Sequence, residues 1–192
     1  IPPDLVDALD DLNFKGWVEE KPRHRKKPKT EYQKQMRAGL GDNWRKHLLT
    51  DHEFSNHRQS TEERFQFMID NQCDMKDCPE HLRTKKNNQS FSPRRWNGSN
   101  PTMTCQSLPD DYVHYSVPRT YSVREWARLQ TFPDHHVFLG PRTTGGPRRA
   151  GKPSEGDFDR ECPKYTQIGN AVPPFMAKSI GERIKSILSY QS

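Results

Sequence analysis

Residues 166–188, TQIGNAVPPFMAKSIGERIKSIL, constrain this chain more than any other stretch. Met176, Ile180, Ile184, Ile187 and Leu188 recur at helical spacing, with Lys178, Glu182, Arg183 and Lys185 mostly between them. That periodicity predicts an amphipathic helix with one face to be buried. Pro173 and Pro174 suit its first turn, where no amide hydrogen is needed. Just before them, Gly169 predicts a tight turn with φ > 0 or a close approach of a ligand. Asn170 tolerates turn conformations, and Ala171 and Val172 are small and apolar. A turn of this kind, opening a buried helix, predicts the rim of a ligand pocket; its plainer reading is a packed C-terminal helix.

The chain is poorly supplied with core for such a helix. Of its 192 residues 30% are hydrophobic and 29% charged, and mean hydropathy is -1.13. Either much of the chain is loop or its apolar faces are buried against something else. The formal net charge of +6 suits a polyanionic partner. No apolar run is long enough to span a membrane. The acidic start, IPPDLVDALDD, has neither a signal pattern nor an initiator methionine. Together with cysteines at 73, 78, 105 and 162 that fit no disulfide framework, this predicts a cytosolic or nuclear setting and a processed or cloned fragment.

Several local readings follow. Residues 4–12 predict a short helix capped by Asp4, with Leu5, Ala8, Leu9 and Leu12 as its apolar stripe. Residues 21–29, KPRHRKKPK, hold six Lys or Arg between prolines and predict an extended solvated strip, either a charged linker or a phosphate-contacting arm. Residues 31–49 place Tyr32, Met36, Leu40, Trp44, Leu48 and Leu49 near one helical face, interrupted by Gly39 and Gly41. Residues 60–70 predict a helix whose cap is Ser60 or Thr61, with Glu63 completing a capping box. Cys73, Cys78 and His81 offer three zinc ligands where four are customary, so this stretch reads as an ordinary reduced loop and no metal is assigned. The basic run 84–99 carries Lys85, Lys86, Arg94, Arg95 and Trp96 in a Gly/Ser/Asn setting that suits a DNA-touching loop, or a solvent loop anchored by its tryptophan. Residues 101–115 predict a short strand and a turn at 109–111.

The second informative stretch is RTYSVREWARLQTFPD at 119–134. Ser122 and Glu125 form a capping box; Val123, Trp126, Ala127 and Gln130 fall near one face, and Pro133 ends the helix. Residues 140–163 are rich in Gly, Pro and charge and read as a linker or mobile loop, in which Arg148, Arg149 and Lys152 suit a phosphate backbone or simply solubility.

These two stretches together resemble the last two motifs of the DNA (cytosine-5) methyltransferases: the arginine-rich helix ending in LQ-x-FPD, then QIGNAVPP. Residues 54–65 and 100–115 resemble the family more loosely. The resemblance implies a Rossmann-like α/β enzyme in which a cysteine thiolate attacks C6 of a flipped-out cytosine and methyl passes from S-adenosylmethionine to C5. No Phe-x-Gly-x-Gly turn, Pro-Cys-Gln loop, Glu-Asn-Val or Gln-x-Arg-x-Arg occurs in the chain. Cys105, in Thr104-Cys105-Gln106, lacks the proline and falls too late to be the nucleophile, so no catalytic residue is assigned here.

The resemblance therefore implies an irregular α+β target-recognition domain plus a C-terminal helix that packs on the catalytic sheet. It divides the chain into a connecting segment (1–50), a recognition domain (51–139), a basic flexible loop (140–163), and a returning motif and helix (164–192). Asn170, Ala171 and Val172, with Gln167 and Gly169 shaping the turn, would line the S-adenosylmethionine pocket. Arg119, Arg124, Glu125, Arg128 and Gln130 would organise the recognition domain through buried ion pairs and hydrogen bonds. DNA contacts would come from 70–100, with Lys85, Lys86, Arg94 and Arg95 as candidates. The implied partners are double-stranded DNA and the N-terminal catalytic part, as a separate chain or a fragment of the same gene. The implied setting is DNA methylation and restriction-modification, in the cytoplasm of a bacterium or the nucleus of a eukaryote. The alternative is a basic DNA-binding module without chemistry; a zinc-dependent nucleic-acid domain on Cys73, Cys78 and His81 is a third reading. Trp126, where a small residue is expected, and the long 140–163 insertion depart from the family pattern.

Overall fold

A computed structural model describes residues 3–12, 23–24, 26–83, 105, 112–142 and 162–190. Its helices are α1 (Pro3–Asp10), α2 (Glu31–Met36), α3 (Gln59–Asn71), α4 (Val123–Leu129), α5 (Lys164–Asn170) and α6 (Pro174–Ser189), with short 3-10 turns between α2 and α3 and after α3. Among the described residues no strand forms; Arg23 and Leu48 pair in an isolated antiparallel bridge. The strand expected in 101–115 lies mostly outside the described residues, as do 84–100 and 143–161.

The short helix α4 is the centre. Val123 through Arg128 are all buried, so this helix has no solvent face. Trp126 and Ala127 pack with Leu9 of α1, Tyr121, Val123, Phe138, and Tyr165 and Ile168 of α5. The bulky Trp126, a departure from the family pattern, is fully buried in this cluster. Burying a side chain of that size stabilises by about 2–3 kcal/mol on area grounds. A second cluster unites Phe65 and Met68 of α3 with Met75, Cys78 and Val113.

Local signals set the helix ends, not always where the sequence suggests. The Ser122–Glu125 capping box is present: Glu125 N–H donates to Ser122 Oγ at 3.1 Å, and Ser122 N–H donates to Glu125 at 2.8 Å. Thr30 and Gln33 form a comparable box at α2. The box expected at Ser60 or Thr61 is absent, because α3 already starts at Gln59 and its flanking residue Arg58 makes no side-chain capping bond. Asp4 lies inside the first turn of α1 instead of capping it. The helix expected over 31–49 breaks into α2 and a 3-10 turn. Gly41 sits at φ 56°, and Gly39 lies so close to the His135 ring that a Cβ would come within 2.0 Å. Helix α4 stops at Leu129, before Pro133, with Thr131 in the left-handed region at φ 66°.

His52 ties α1 to α4. Its Nε2 donates to the Leu12 carbonyl at 2.7 Å. Its Nδ1 therefore accepts from the Ser122 hydroxyl at 2.8 Å, which leaves that oxygen free to receive the Glu125 N–H. This arrangement requires the neutral imidazole. Burial pulls its pKa from 6.5 to about 4; Glu125 opposes the shift, and Arg119 reinforces it. The folded chain thus resists protonating His52 while the unfolded chain accepts the proton near its ordinary pKa. The resulting stability is whole above that value and is lost as pH falls toward 4. The shift corresponds to about 3 kcal/mol. Urea midpoints should fall steeply between neutral pH and the low fours, and His52→Gln should flatten that fall while lowering stability at neutral pH. An unchanged pH profile in His52→Gln would contradict this role.

Candidate functional site

The arginines of the 119–134 stretch all point inward. Arg128 grips Asp134 with two bonds, Nε to Oδ1 at 2.9 Å and Nη2 to Oδ2 at 2.6 Å, and both side chains are wholly buried. Its remaining nitrogen donates to the Ala8 carbonyl and to Asp11. Arg37 also holds Asp11, and His24 Nε2 reaches Asp134 at 2.8 Å. Burial alone would raise the Asp134 carboxyl; the Arg128 charge and the bonds from His24 and Arg128 outweigh it and hold it well below the carboxylate range. For His24 burial wins over the carboxylate and keeps the ring below its ordinary value, so it is a neutral donor.

Arg119 forms a matching fork on Glu125, with both N–O distances 2.7 Å, and stacks over Phe54 at 4.0 Å. Glu125 is likewise held ionised: burial disfavours its charge, but the fork from Arg119, with the neighbouring His114 ring, outweighs it. Arg124 instead satisfies backbone. It donates to the carbonyls of Thr50, Pro133 and His136 and reaches Asp51 at 3.4 Å. Phe54 and His57, from the more loosely family-like 54–65 stretch, meet this group directly; His57 lies 3.3 Å from the Thr120 amide.

The scaffold reaches the last motif through two bonds. Gln130 Nε2 donates to the Ala171 carbonyl at 2.8 Å, and the Phe175 amide donates to Thr131 Oγ1 at 3.1 Å. Phe175 also meets Tyr32 edge-on. The residues expected to form a glycine turn behave differently: Gln167 and Gly169 are helical, within α5, and Gly169 is not among the positive-φ glycines, which in the described residues are Gly41 and Gly140. Gln167 donates to the Leu139 and Cys162 carbonyls. The turn itself falls at Ala171–Pro173, extended between α5 and α6. Asn170, the last residue of α5, is exposed beside this turn, and Val172 within it is 62% exposed.

Beyond Phe175 the apolar face of α6 is left exposed. Met176, Ile180, Ile184, Ile187 and Leu188 are each between 47% and 61% exposed, and none of its residues is buried.

Other candidates separate. Cys105 packs against the main cluster, and burial pushes its thiol up to about 12, so it holds its proton at neutral pH. Cys78 is buried while His81 is exposed, and among the described residues no three His, Cys, Asp or Glu converge as a metal site. The 21–29 segment is not a wholly solvated strip, because His24 is buried and the Lys26 carbonyl accepts from Arg37 at 2.7 Å. Lys85, Lys86, Arg94, Arg95, Arg148, Arg149 and Lys152 lie outside the described residues.

Sequence reasoning missed His24, His52, Asp11 and Asp134. The first two act across 110 and 70 residues, a separation that carries no local signal. Asp134, six residues past Arg128, was legible as an acid near an arginine. Removing it strands two buried groups. Asp134→Ala should cost about 3–5 kcal/mol in urea unfolding, and Asp134→Asn, which keeps the shape and one acceptor, should cost less. Equal stability of Asp134→Ala and the unaltered chain would refute this.

Comparison of the sequence with known proteins identifies a family. The family described as C-5 cytosine-specific DNA methylase matches residues 7–186. The type II methyltransferase M.DdeI of Desulfomicrobium norvegicum is 29% identical over 167 residues, covering 82% of this chain and 36% of that protein. M.Bpa9945I of Bacillus paralicheniformis is 33% identical, covering 59% of this chain and 23% of its own length. M1.HphI of Haemophilus parahaemolyticus is 31% identical, with 71% and 31% covered. The chain thus spans about a third or less of these relatives. On the match over nearly its whole length, this chain belongs to the C-5 cytosine-specific DNA methylase family.

Proposed function

We propose that this chain is the C-terminal, DNA-recognising part of a DNA cytosine-5 methyltransferase, and that the nucleophile and most of the cofactor site reside in an N-terminal catalytic part. The observation that carries this reading is the apolar face of α6, exposed from Met176 to Leu188 on a chain otherwise short of core. An amphipathic helix leaves such a face uncovered only where a partner surface covers it. The reading assigns that surface to the Rossmann-like sheet of the catalytic part. It keeps the division into a connecting segment, recognition domain, basic loop and returning helix.

The S-adenosylmethionine edge is tested by what Ala171–Pro173 presents. The exposed Asn170 amide offers a donor and an acceptor, and Val172 offers an apolar contact; both face outward beside the α6 surface. That set fits one rim of a pocket for a molecule with both polar and apolar parts, completed by the partner. Bound there, S-adenosylmethionine supplies the methyl group for cytosine C5. This chain's own contribution is positional. Gln130 and Thr131 fix the rim against the buried arginine scaffold, so the rim and the recognition domain move as one body. In this reading Lys85, Lys86, Arg94 and Arg95 contact the DNA around the flipped cytosine.

Tritiated methyl transfer to duplex DNA tests the assignment. The chain alone should transfer nothing, and mixing with the N-terminal catalytic part should restore transfer. Transfer by the chain alone would overturn the division of labour, and DNA binding without transfer in the mixture would favour a non-catalytic binding module. In the reconstituted enzyme, Asn170→Ala should weaken S-adenosylmethionine binding about tenfold and leave DNA affinity nearly unchanged. Unaltered cofactor affinity would remove Asn170 from the rim.

A further inference from the structure

We infer that residues 23–24, 26–29 and 44–48 together form a second DNA-phosphate surface, separate from the recognition loop and fixed to the arginine scaffold. This inference rests on the reading that the chain binds duplex DNA.

The two segments are adjacent. Arg23 pairs with Leu48 through the backbone, and Arg37, which lies over the Trp44 ring at 5.3 Å, donates to the Lys26 carbonyl. His24 Nε2 reaches the Asp134 carboxylate at 2.8 Å and His47 Nε2 reaches the Asp134 backbone carbonyl at 3.4 Å, so both segments are pinned to one buried residue. Along these segments Arg23, Lys26, Lys27, Lys29, Arg45 and Lys46 are all exposed. None of the six makes an ion pair among the described residues. Of the nearby acids, Glu31 is engaged by Lys34 at 3.4 Å.

The contrast with the rest of the chain is physical. Arg37, Arg119, Arg124 and Arg128 are spent on buried carboxylates and carbonyls, whereas these six cations are exposed and make no ion pair among the described residues. Arg45 is further held by stacking on Trp44 at 4.9 Å, which limits the rotamers it must give up on binding. A run of unpaired cations on a fixed backbone suits a regular polyanion. Each cation can neutralise one phosphate and release one counterion, with no base-edge reading. The surface would hold duplex flanking the recognition site and set register without contributing specificity.

The test compares two triple variants of the full chain in fluorescence anisotropy with duplexes of unrelated sequence. K26A/K27A/K29A removes three charges from this surface; K178A/R183A/K185A removes three exposed charges from α6. The first should weaken binding on the order of tenfold at about 150 mM salt, equally for every sequence, and lower the slope of log K against log salt by about 2–3. The second should change neither by more than about twofold. Equal losses in both variants would reduce the effect to net charge and overturn the surface. So would a first variant that binds like the unaltered chain, although the recognition reading would then stand. Absence of any binding by the unaltered chain at low salt would overturn both. A loss confined to vesicles of acidic phospholipid, with DNA binding intact, would assign the surface to a membrane and overturn it too.

Discussion

The structure depends on one ion pair placed where water cannot reach it, Arg128 with Asp134. A buried guanidinium is tolerated only if every nitrogen is answered. Here Asp134, Asp11 and the Ala8 carbonyl do so, drawing α1 onto α4. The same carboxylate receives His24, which pulls the basic segment inward, and the Asp134 amide donates to the Met36 carbonyl, which fixes the end of α2. Four separated pieces of chain therefore meet at these two residues. Such a pair adds little net stability over a hydrophobic replacement, but its directional bonds admit a single arrangement of those pieces.

That arrangement transmits order to the far end of the chain. Arg119 and Glu125 repeat the fork one turn away, Ser122 caps the helix between them, and His52 completes the chain of bonds from Leu12 to Glu125. At the other end of α4, Gln130 and Thr131 take hold of Ala171 and Phe175. Thr131 accepts a left-handed backbone to do so, an unfavourable conformation for a β-branched residue. Beyond Phe175 the chain continues as a helix whose apolar residues are left exposed, with no cover among the described residues. Rigid scaffold, fixed hinge step and uncovered helix form a continuous series, which is the structural basis for reading the chain as one part of a larger catalytic unit.

Much of this was legible in the sequence wherever the signal is local. The Ser122–Glu125 box, the α6 periodicity with its double proline, the stripe on α1 and the interrupting glycines at 39 and 41 all depend on neighbours within one or two turns. Where an interaction spans the chain, the residues gave no sign. His24 looked like one more member of a basic strip, and nothing near His52 in the sequence marks it out. Gly169 shows the converse error: a glycine beside an asparagine suggests a turn, but Ile168 and Tyr165 are buried in the main cluster and carry the backbone through 169 as helix. Tertiary packing overrode the local preference there, as it did at Pro133, where the helix had already ended in the Thr131 turn. The family resemblance was carried by motif order, which a single sequence shows directly.

The central proposal is that an arginine scaffold complete in itself carries a helix that a catalytic part covers, and amide hydrogen exchange tests it most directly. Exchange would be followed residue by residue in this chain, alone and with the N-terminal catalytic part present. The account predicts slow exchange in α1 and α4 in both samples, and in α6 fast exchange alone that slows on mixing. Equal protection of α6 in the two samples, or loss of protection in α4 when the chain is alone, would contradict it.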